Sequence, residues 1–196
     1  MKILVACEYS GKVREAFRKL GHNVISCDLI PSDDNSEFHH VGDVVPLLKE
    51  EWDLVVAFPP CTHLAVSGAK HFKQKIADGR QQQGIDFFML FTKLYHIPKV
   101  AIENPIGIMS TIYRKPDQII QPWQFGDEAQ KSTCLWLKGL PKLKETNVVS
   151  KGEFVTFSSG KTMPKWYSIA TGKQRQKIRS TTFDGIAKAM ADQWGT

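Results

Sequence analysis

Two short stretches of the sequence hold side chains whose chemistry could be catalytic. Cys61 follows an apolar run, Leu54 to Phe58, and two prolines that fix the backbone and remove two amide donors. A thiol on such a stiff loop can act as a nucleophile if electropositive neighbours lower its pKa, although a lone cysteine is more often a small core residue. Glu103 lies near the end of a second apolar stretch, "KVAIENP", where burial would raise the pKa of its carboxyl and suit it to donate a proton. Together, such a thiol and acid could attack and protonate a heterocycle.

Two aspartates also follow predicted strands. Asp28 ends the stretch "HNVISCD" and could accept hydrogen bonds from both hydroxyls of a ribose. Asp43 comes after the next short stretch and could accept a hydrogen bond from an adenine amino group. The alternatives are a solvated loop acid for Asp28 and a plain turn at Gly42 for Asp43. Both positions fit the rule that ligands of open α/β sheets bind beyond the carboxyl ends of the strands.

The turn after the first predicted strand, "CEYSGK", argues against a phosphate-rich cofactor. It has a single glycine, Gly11, and lacks the G-x-G-x-x-G pattern that lets a backbone approach a pyrophosphate. Tyr9 and Ser10 would crowd that approach. A cofactor without phosphates, such as S-adenosylmethionine, does not need this cradle, so a nicotinamide or flavin oxidoreductase is disfavoured.

The elements that must position these side chains alternate between strand and helix from residue 1 to about residue 105. The predicted strands are continuous apolar runs, which are typical of strands buried on both faces. We therefore predict an α/β fold with a doubly wound, mostly parallel sheet. The remaining predictions are a short helix at 45–52, a long loop at 59–80, a helix at 81–96, a strand at 133–137, a hairpin at 153–167 and a helix at 180–194.

Length and charge indicate one globular domain with a small basic appendage. The chain has 196 residues, a net charge of +6 and a pI near 9.1. Residues 151–180 contain seven cations and one acid, Glu153. The cations and the aromatic residues among them are Lys151, Lys161, Lys165, Lys173, Arg175, Lys177 and Arg179, with Phe154, Phe157, Trp166 and Tyr167. This pattern favours a nucleic acid with exposed bases, and the alternative is a solvated region with a small core of its own.

Several classes of protein are disfavoured by the same sequence. No apolar run approaches the ~20 residues of a membrane span, and Glu8 interrupts the N-terminal run that could imitate a signal peptide. The four cysteines show no C-x-x-C spacing, so we expect neither a disulfide framework nor a bound metal. A protein of the reducing cytoplasm, with no membrane partner, fits these features.

These residues, in this order, resemble the cytosine-5 DNA methyltransferase family. "FPPC" at 58–61 is similar to that family's Pro-Cys nucleophile motif, and "ENP" at 103–105 is similar to its Glu-Asn-Val motif. "LVACEYSGKVREAFRKLGHNV" resembles the family's first strand, cofactor loop and helix, while "SCDLIP" and "VGDV" resemble its two acidic cofactor motifs. The resemblance covers residues 1–105 and implies a Rossmann-like S-adenosylmethionine-dependent methyltransferase fold.

The resemblance also implies a role for individual residues. Cys61 would attack carbon 6 of cytosine, Glu103 would contact ring nitrogen 3 and the amino group, and Asn104 would stabilise the loop of the nucleophile. Carbon 5 would then receive the methyl group of S-adenosylmethionine. Lys131 would serve catalysis from a degenerate form of the family's Gln-x-Arg-x-Arg segment, "FGDEAQKSTCLWLKGLPKL". The cofactor-binding residues would be Glu8, Tyr9, Ser10, Gly11, Asp28, Leu29, Asp43, Pro59 and Thr182.

The implied partner is DNA, either as a duplex with a flipped cytosine or as a single strand. The implied organisation is a catalytic domain at 1–144, a small basic target-recognition region at 145–179 and a C-terminal helix at 180–196 that packs back on the catalytic domain. Family members carry a larger target-recognition domain, and they have a glutamine where this chain has Thr62. The small region predicts short or loose sequence specificity, a partner subunit, or another substrate.

Two other functions remain open at the level of the sequence. The altered cofactor loop, with Lys12, is compatible with a related enzyme that places a different group on cytosine or acts on a free nucleotide. A non-catalytic nucleic-acid-binding protein on the same scaffold is the alternative from another class, and the retained Cys61 and Glu103 argue against it.

Overall fold

The computed structural model describes residues 1–168 and 172–196, and at positions 167 and 173–176 it describes the backbone alone. The contributions expected from the side chains of Tyr167, Lys173 and Arg175 therefore lie outside the described residues.

The strands and helices follow one another in a regular alternation through the first half of the chain. The strands are β1 Lys2–Ala6, β2 Asn23–Asp28, β3 His39–Val41, β4 Leu54–Ala57, β5 Lys99–Pro105, β6 Gln118–Ile120, β7 Thr133–Lys138, β8 Phe154–Thr156 and β9 Thr162–Pro164. The α-helices are α1 Lys12–Arg18, α2 Phe72–Ala77, α3 Arg80–Thr92, α4 Met109–Ile112, α5 Lys165–Ser168, α6 Gly172–Ser180 and α7 Asp184–Trp194. Short 3-10 helices cover Leu47–Lys49, Val66–His71 and Pro122–Gln124.

Within the described residues, β1 to β7 form one sheet in the order β3-β2-β1-β4-β5-β7-β6. Neighbouring strands are parallel except at β7, which runs antiparallel to both β5 and β6. The predicted doubly wound, mostly parallel sheet is thereby confirmed. The strand order reverses between β1 and β4, which is where open α/β sheets bind their ligands.

The register of the central strands brings their carboxyl ends to one edge of the sheet. Ala6 of β1 lies opposite Ala57 of β4, which in turn lies opposite Ile102 of β5. Glu103 comes directly after Ile102, and Cys61 lies on the segment that leaves β4. The two residues singled out for chemistry therefore start from the same edge, on neighbouring strands.

The sheet is buried on both faces, which explains its continuous apolar strands. On one face, Ile3 of β1 belongs to a core that includes Phe17 of α1 and Trp194 of α7. On the other face, Leu4 belongs to a second core with Phe88 of α3. All five side chains are at most 1% exposed, and each contributes about 1.5–3 kcal/mol through burial of apolar surface.

Residues 59–80 are not a long loop, so that prediction was wrong. They contain a 3-10 helix and α2. On α2, Lys75 is 8% exposed whereas Ile76 is 63% exposed, so its inward positions are not marked by apolar residues. Apolar periodicity cannot reveal a helix of this kind.

The other predicted helices and strands differ from the structure mainly in where they begin or end. The helix predicted at 45–52 is a single 3-10 turn, Leu47–Lys49, and α3 ends at Thr92 rather than at residue 96. The hairpin of β8 and β9 and the C-terminal helix α7 are confirmed.

Candidate active site

The loop that carries Cys61 is tied to the end of β5 by a buried amide. Nδ2 of Asn104, a side chain that is 1% exposed, donates a 2.7 Å hydrogen bond to the carbonyl oxygen of Pro59. Asn104 directly follows Glu103 in the sequence. One side chain therefore fixes the start of the Cys61 loop relative to the strand of the carboxylate.

Two backbone hydrogen bonds extend this connection. The N–H of Val66 donates to the carbonyl of Ile106 over 3.1 Å, and the N–H of Ile108 donates to the carbonyl of Leu64 over 3.0 Å. Gly107 lies between these bonds. Its backbone is so close to the Cys61 segment that a Cβ at this position would overlap the carbonyl oxygen of Leu64. Glycine is required here because the two backbones approach so closely.

Glu103 faces a cavity at the carboxyl edge of the sheet. The wall of this cavity combines strand ends with the segment that connects α6 to α7. Its lining residues are Phe58, Glu103, Lys131, Thr133, Ser180, Thr182, Phe183, Ile186 and Met190. Burial raises the pKa of Glu103, and the positive charge of Lys131 opposes that rise. The carboxyl is thus suited to hold a proton at a higher pH than an ordinary glutamate.

Cys61 lies within electrostatic reach of the same groups. Burial raises the pKa of its thiol, the charge of Glu103 raises it further, and the charges of Lys131 and Arg179 lower it. Cys61 does not line the cavity of Glu103 but sits beside it, partly buried. The resting thiol is therefore protonated at neutral pH, and a neutral Glu103 would ease the loss of its proton.

The C-terminal part of the chain folds over this edge of the sheet. Nζ of Lys131 donates a 2.7 Å hydrogen bond to the carbonyl oxygen of Arg179. The hydroxyls of Tyr9 and Ser180 share a 2.7 Å hydrogen bond. These contacts connect the loop after β1, the segment before β7 and the end of α6 around one site.

The loop after β1 is held from inside by Glu8. Its buried carboxylate accepts hydrogen bonds from the backbone N–H groups of Val13, at 2.7 Å, and Arg14, at 3.2 Å. Ser10 donates a further bond at 3.3 Å, and Gly11 takes a φ of +72° at the start of α1. Burial raises the pKa of Glu8 to about 7, although the N–H donors favour the charged form. Glu8 therefore caps α1 and shapes this loop.

Two acids and an exposed leucine lie near the same end of β1 as the Glu8 loop. The charges of Asp28 and Asp43 both raise the pKa of Cys7, so both carboxylates lie near the residue that directly follows β1. Each also accepts a hydrogen bond from the backbone N–H two positions later, at 3.3 Å for Asp28 and 3.0 Å for Asp43. Leu29 is 75% exposed beside them. The arrangement offers hydrogen-bond acceptors next to an apolar surface.

A larger cavity opens between α6 and the starts of α1 and α7. Counting its open mouth, it has a volume of about 1010 Å³. Its polar lining carries both signs of charge and comprises Lys12, Asp33, Asp127, Lys177, Thr181, Thr182 and Asp184. Nζ of Lys12 lies 2.9 Å from the carboxylate of Asp184, and Nζ of Lys177 lies 2.6 Å from that of Asp33. The cavity thus has three carboxylates against two ammonium groups and is not a simple anion site.

The predicted site residues fall into two groups at the same edge of the sheet. The first group, around the thiol, comprises Cys61, Glu103, Asn104 and Lys131. The second, around the end of β1, comprises Glu8, Tyr9, Ser10, Gly11, Asp28, Leu29 and Asp43. Pro59 lies on the Cys61 loop, and Thr182 lines both cavities.

The sequence gives no sign that Arg179 lies near the thiol of Cys61. Arg179 was expected only as one of several cations that face a phosphate backbone. In the structure its charge acts on Cys61, and its side chain donates a 3.1 Å hydrogen bond to Ser67. No local signal could reveal this, because the contact joins residues that are 112 positions apart.

The described part of the chain contains no group of three or more His, Cys, Asp or Glu side chains arranged to hold a metal ion. None of the helices formed by the described residues is long and apolar enough to cross a membrane.

Neither a protein-family model nor a curated protein matches this sequence. Two solved structures are similar to the chain. One is a DNA modification methyltransferase encoded within a prophage of E. coli, with a TM-score of 0.53 and 15% identity. The other is the methyltransferase EhMeth of Entamoeba histolytica, with a TM-score of 0.50 and 16% identity. Each match covers 76% of this chain but only 52% and 57% of the respective solved chain. These likenesses confirm the methyltransferase-like fold.

Proposed function

We propose that this protein is an S-adenosylmethionine-dependent methyltransferase that modifies carbon 5 of cytosine in DNA through a covalent adduct with Cys61. The observation that carries this proposal is the electrostatic coupling of three side chains from separate segments, Cys61, Glu103 and Lys131. A thiol, an acid of raised pKa and a cation at the ligand-binding edge of a methyltransferase-like fold suit attack on a ring that must be protonated.

The cofactor proposal is supported by the second group of residues. Asp28 and Asp43 present carboxylates to the hydroxyl and amino groups of an adenosine, and the exposed Leu29 offers an apolar contact for its ring. The larger cavity, which Thr182 shares with the cavity of Glu103, carries cations and anions that fit an α-amino carboxylate tail. S-adenosylmethionine, when bound, supplies the methyl group that carbon 5 receives.

The chain's own residues would then act in sequence. Sγ of Cys61 loses its proton to solvent and forms a bond to carbon 6, while the ring electrons shift toward ring nitrogen 3, which takes a proton from Glu103. This leaves a double bond between carbons 4 and 5, so carbon 5 is nucleophilic, and ring nitrogen 3 returns its proton to Glu103 once carbon 5 has received the methyl group. Asn104 keeps the Cys61 loop beside β5 during this step. After carbon 5 has received the methyl group, a base removes its remaining proton and the bond between Sγ and carbon 6 breaks. Lys131 limits the build-up of negative charge beside the thiol.

Binding of DNA is supported by the hairpin of β8 and β9. Phe154 and Phe157 are 48% and 42% exposed, and Lys161 in the turn between the strands is exposed as well. Exposed rings among cations can stack on bases while the cations contact phosphates. We propose that residues 145–179 contact the nucleic acid and that residues 1–144 and 180–196 form the catalytic unit.

The test measures both the product and the intermediate. Purified protein is incubated with S-adenosylmethionine and DNA in duplex, single-stranded and nucleotide form, and the nucleosides are analysed by mass spectrometry. DNA containing 5-fluorocytosine should trap a covalent adduct, because the fluorine prevents removal of the carbon-5 substituent. We expect 5-methylcytosine and the adduct with the wild type, neither with Cys61→Ser, and both with the control Cys27→Ala.

Other results of this experiment would favour a different function. A cytosine with a different added mass, or modification of the free nucleotide alone, would favour the related enzyme. The pairing of Lys12 with Asp184 weakens the sequence argument for that alternative, because the lysine has a partner within the protein. Full methylation by Cys61→Ser, or no cofactor binding by calorimetry, would refute the proposal.

A further inference from the structure

Three buried polar side chains hold the backbone of one short loop. Nδ2 of Asn104 donates to the carbonyl of Pro59. Nζ of Lys75 donates to the carbonyl of Thr62 over 2.5 Å, and Nε2 of Gln81 donates to the carbonyl of His63 over 3.3 Å. These donors are 1%, 8% and 8% exposed, respectively. Buried polar side chains are uncommon, so three on one loop indicate a selected geometry.

The carbonyl of Cys61 lies between these attachments and is also occupied. It accepts hydrogen bonds from the backbone N–H groups of Leu64 and Ala65, both at 3.0 Å. The nucleophile therefore lies in a tight turn that is fixed on both sides. Free rotation of this loop would require several buried hydrogen bonds to break together.

Lys75 is the least expected of the three donors. The residue is only 8% exposed on α2, and among the described residues its ammonium group forms no ion pair with a carboxylate. Burial of a charged group without a counter-ion is costly, so an apolar residue would serve better if the position only filled space. The contact with Thr62, one residue after the nucleophile, gives a reason for a lysine.

We propose that Lys75 and Gln81 are positioning residues that hold Sγ of Cys61 in the orientation required for attack. They act through the carbonyl oxygens of Thr62 and His63 and do not touch the substrate. Lys75 on α2 and Gln81 on α3 anchor the far side of the turn, while Asn104 on β5 anchors its near side. This inference rests on the proposed role of Cys61 as the nucleophile.

The first test measures the loop without substrate. Lys75→Met removes the donor at similar length, and Lys73→Met is the matched control, because Lys73 is exposed on the same helix. We expect alkylation of Cys61 by a small neutral reagent to change about tenfold in Lys75→Met, together with faster amide exchange at Leu64 and Ala65. Lys73→Met should behave like the wild type. Alkylation and exchange within about twofold of the wild type in Lys75→Met would overturn the proposal.

The second test uses turnover. We expect kcat to fall by about 100-fold in Lys75→Met with little change in KM for DNA, since displacement of a reacting atom acts on the chemical step. Lys75→Arg, which keeps a donor, should recover most of kcat, and Gln81→Leu should lower kcat in the same way as Lys75→Met. Loss of the whole fold in both Lys75→Met and Gln81→Leu would indicate a general structural role and would overturn the inference. If the wild type lacks methyl transfer, the proposed function fails, whereas the alkylation and exchange results still decide whether Lys75 and Gln81 position the loop.

Discussion

The thiol of Cys61 and the carboxyl of Glu103 disfavour each other's charged form. The negative charge of Glu103 raises the pKa of Cys61, on top of the rise caused by burial. A thiol with a raised pKa reacts slowly at neutral pH, because the thiolate is the reactive species. Because only the charged carboxylate acts in this way, the thiol loses its proton more easily whenever Glu103 is in its neutral, protonated form.

Substitution of Glu103 should therefore activate the free thiol even as it abolishes turnover. In Glu103→Gln the negative charge is lost, so the pKa of Cys61 falls and more thiolate is present at a given pH. Each unit of that fall raises the fraction of thiolate about tenfold below the pKa, and the alkylation rate rises by less because a less basic thiolate is a weaker nucleophile. The measurement is the rate of Cys61 alkylation by iodoacetamide from about pH 6 to about pH 10, followed by peptide mass spectrometry.

The opposite substitution supplies the control. Lys131→Met removes a charge that lowers the pKa of Cys61, so the alkylation profile should move to higher pH. Cys27 and Cys134 should remain unmodified in both variants, because burial raises the pKa of each to about 11. Shifts in the same direction for Glu103→Gln and Lys131→Met would contradict the electrostatic coupling.

At the residue scale, the sequence predicts the reactive groups better than their supports. Cys61, Glu103 and Asp28 could be proposed because each lies at or just beyond the end of an apolar strand, where parallel strands place their ligands, whereas Asp43 follows a short polar stretch. Lys75 could not, because a lysine on a helix with scattered charge is ordinarily a solvated residue. Its burial depends on how α2 packs against the loop, which is a property of the fold.

At the scale of the elements, the connection between the segments after β4 and β5 decides where Cys61 lies. Ala65 and Gly107 form an isolated antiparallel bridge between these segments. The bridge joins two connections that belong to neighbouring parallel strands, which would otherwise be independent loops. The bridge therefore holds the segments that follow β4 and β5 in a fixed position relative to each other.

Gly107→Ala should break this site while leaving the sheet intact. The new Cβ would overlap the carbonyl oxygen of Leu64, so one of the two segments must move. We expect a loss of about 1–3 kcal/mol in unfolding free energy from overpacking, and a fall in kcat of about 100-fold from displacement of the nucleophile. Chemical denaturation and methyl-transfer kinetics measure the two effects.

Gly84→Ala is the matched control for this substitution. Gly84 lies on α3, and its Cβ would meet His63 and Leu64 at 3.4 Å, an ordinary contact distance. Alanine also favours the helix by about 1 kcal/mol relative to glycine. Equal losses in the two variants would show that the Cys61 loop is sensitive to any added methyl group and that the bridge has no special role.

The strands that can be predicted from the sequence are those formed by a continuous run of mostly apolar residues. The strands β1, β2, β4 and β5 have continuous apolar runs, and all four were predicted. The strands β3 and β6 have three residues each and carry polar or exposed side chains, so no periodic signal marks them. The direction of β7 relative to β5 is set by the path of the chain that connects the two strands. Local patterns of apolar residues carry no information about that path.

At the scale of the whole molecule, the excess of positive charge is distributed unevenly over the fold. The hairpin of β8 and β9 comes before α6 in the chain, and the end of α6 covers the edge of the sheet at which Cys61 lies. The hairpin carries the exposed Lys161. Lys93 is also exposed, but it lies in the connection from α3 to β5, at the end where β5 begins, and so at the opposite edge of the sheet. If the sheet edge of Cys61 receives DNA, only cations on that side should contribute to binding.

The salt dependence of DNA binding separates these two positions. Each phosphate contact adds roughly 0.9 to the slope of log affinity against log salt concentration for duplex DNA. Lys161→Gln should therefore lower that slope by about one unit and weaken binding to all sequences alike, because a phosphate contact carries no sequence information. Lys93→Gln makes the same change in net charge at the opposite edge and should leave the slope unaltered. Fluorescence anisotropy over a salt series measures both. Equal slopes for the two variants would mean that net charge alone governs binding, and the proposed nucleic-acid surface would be wrong.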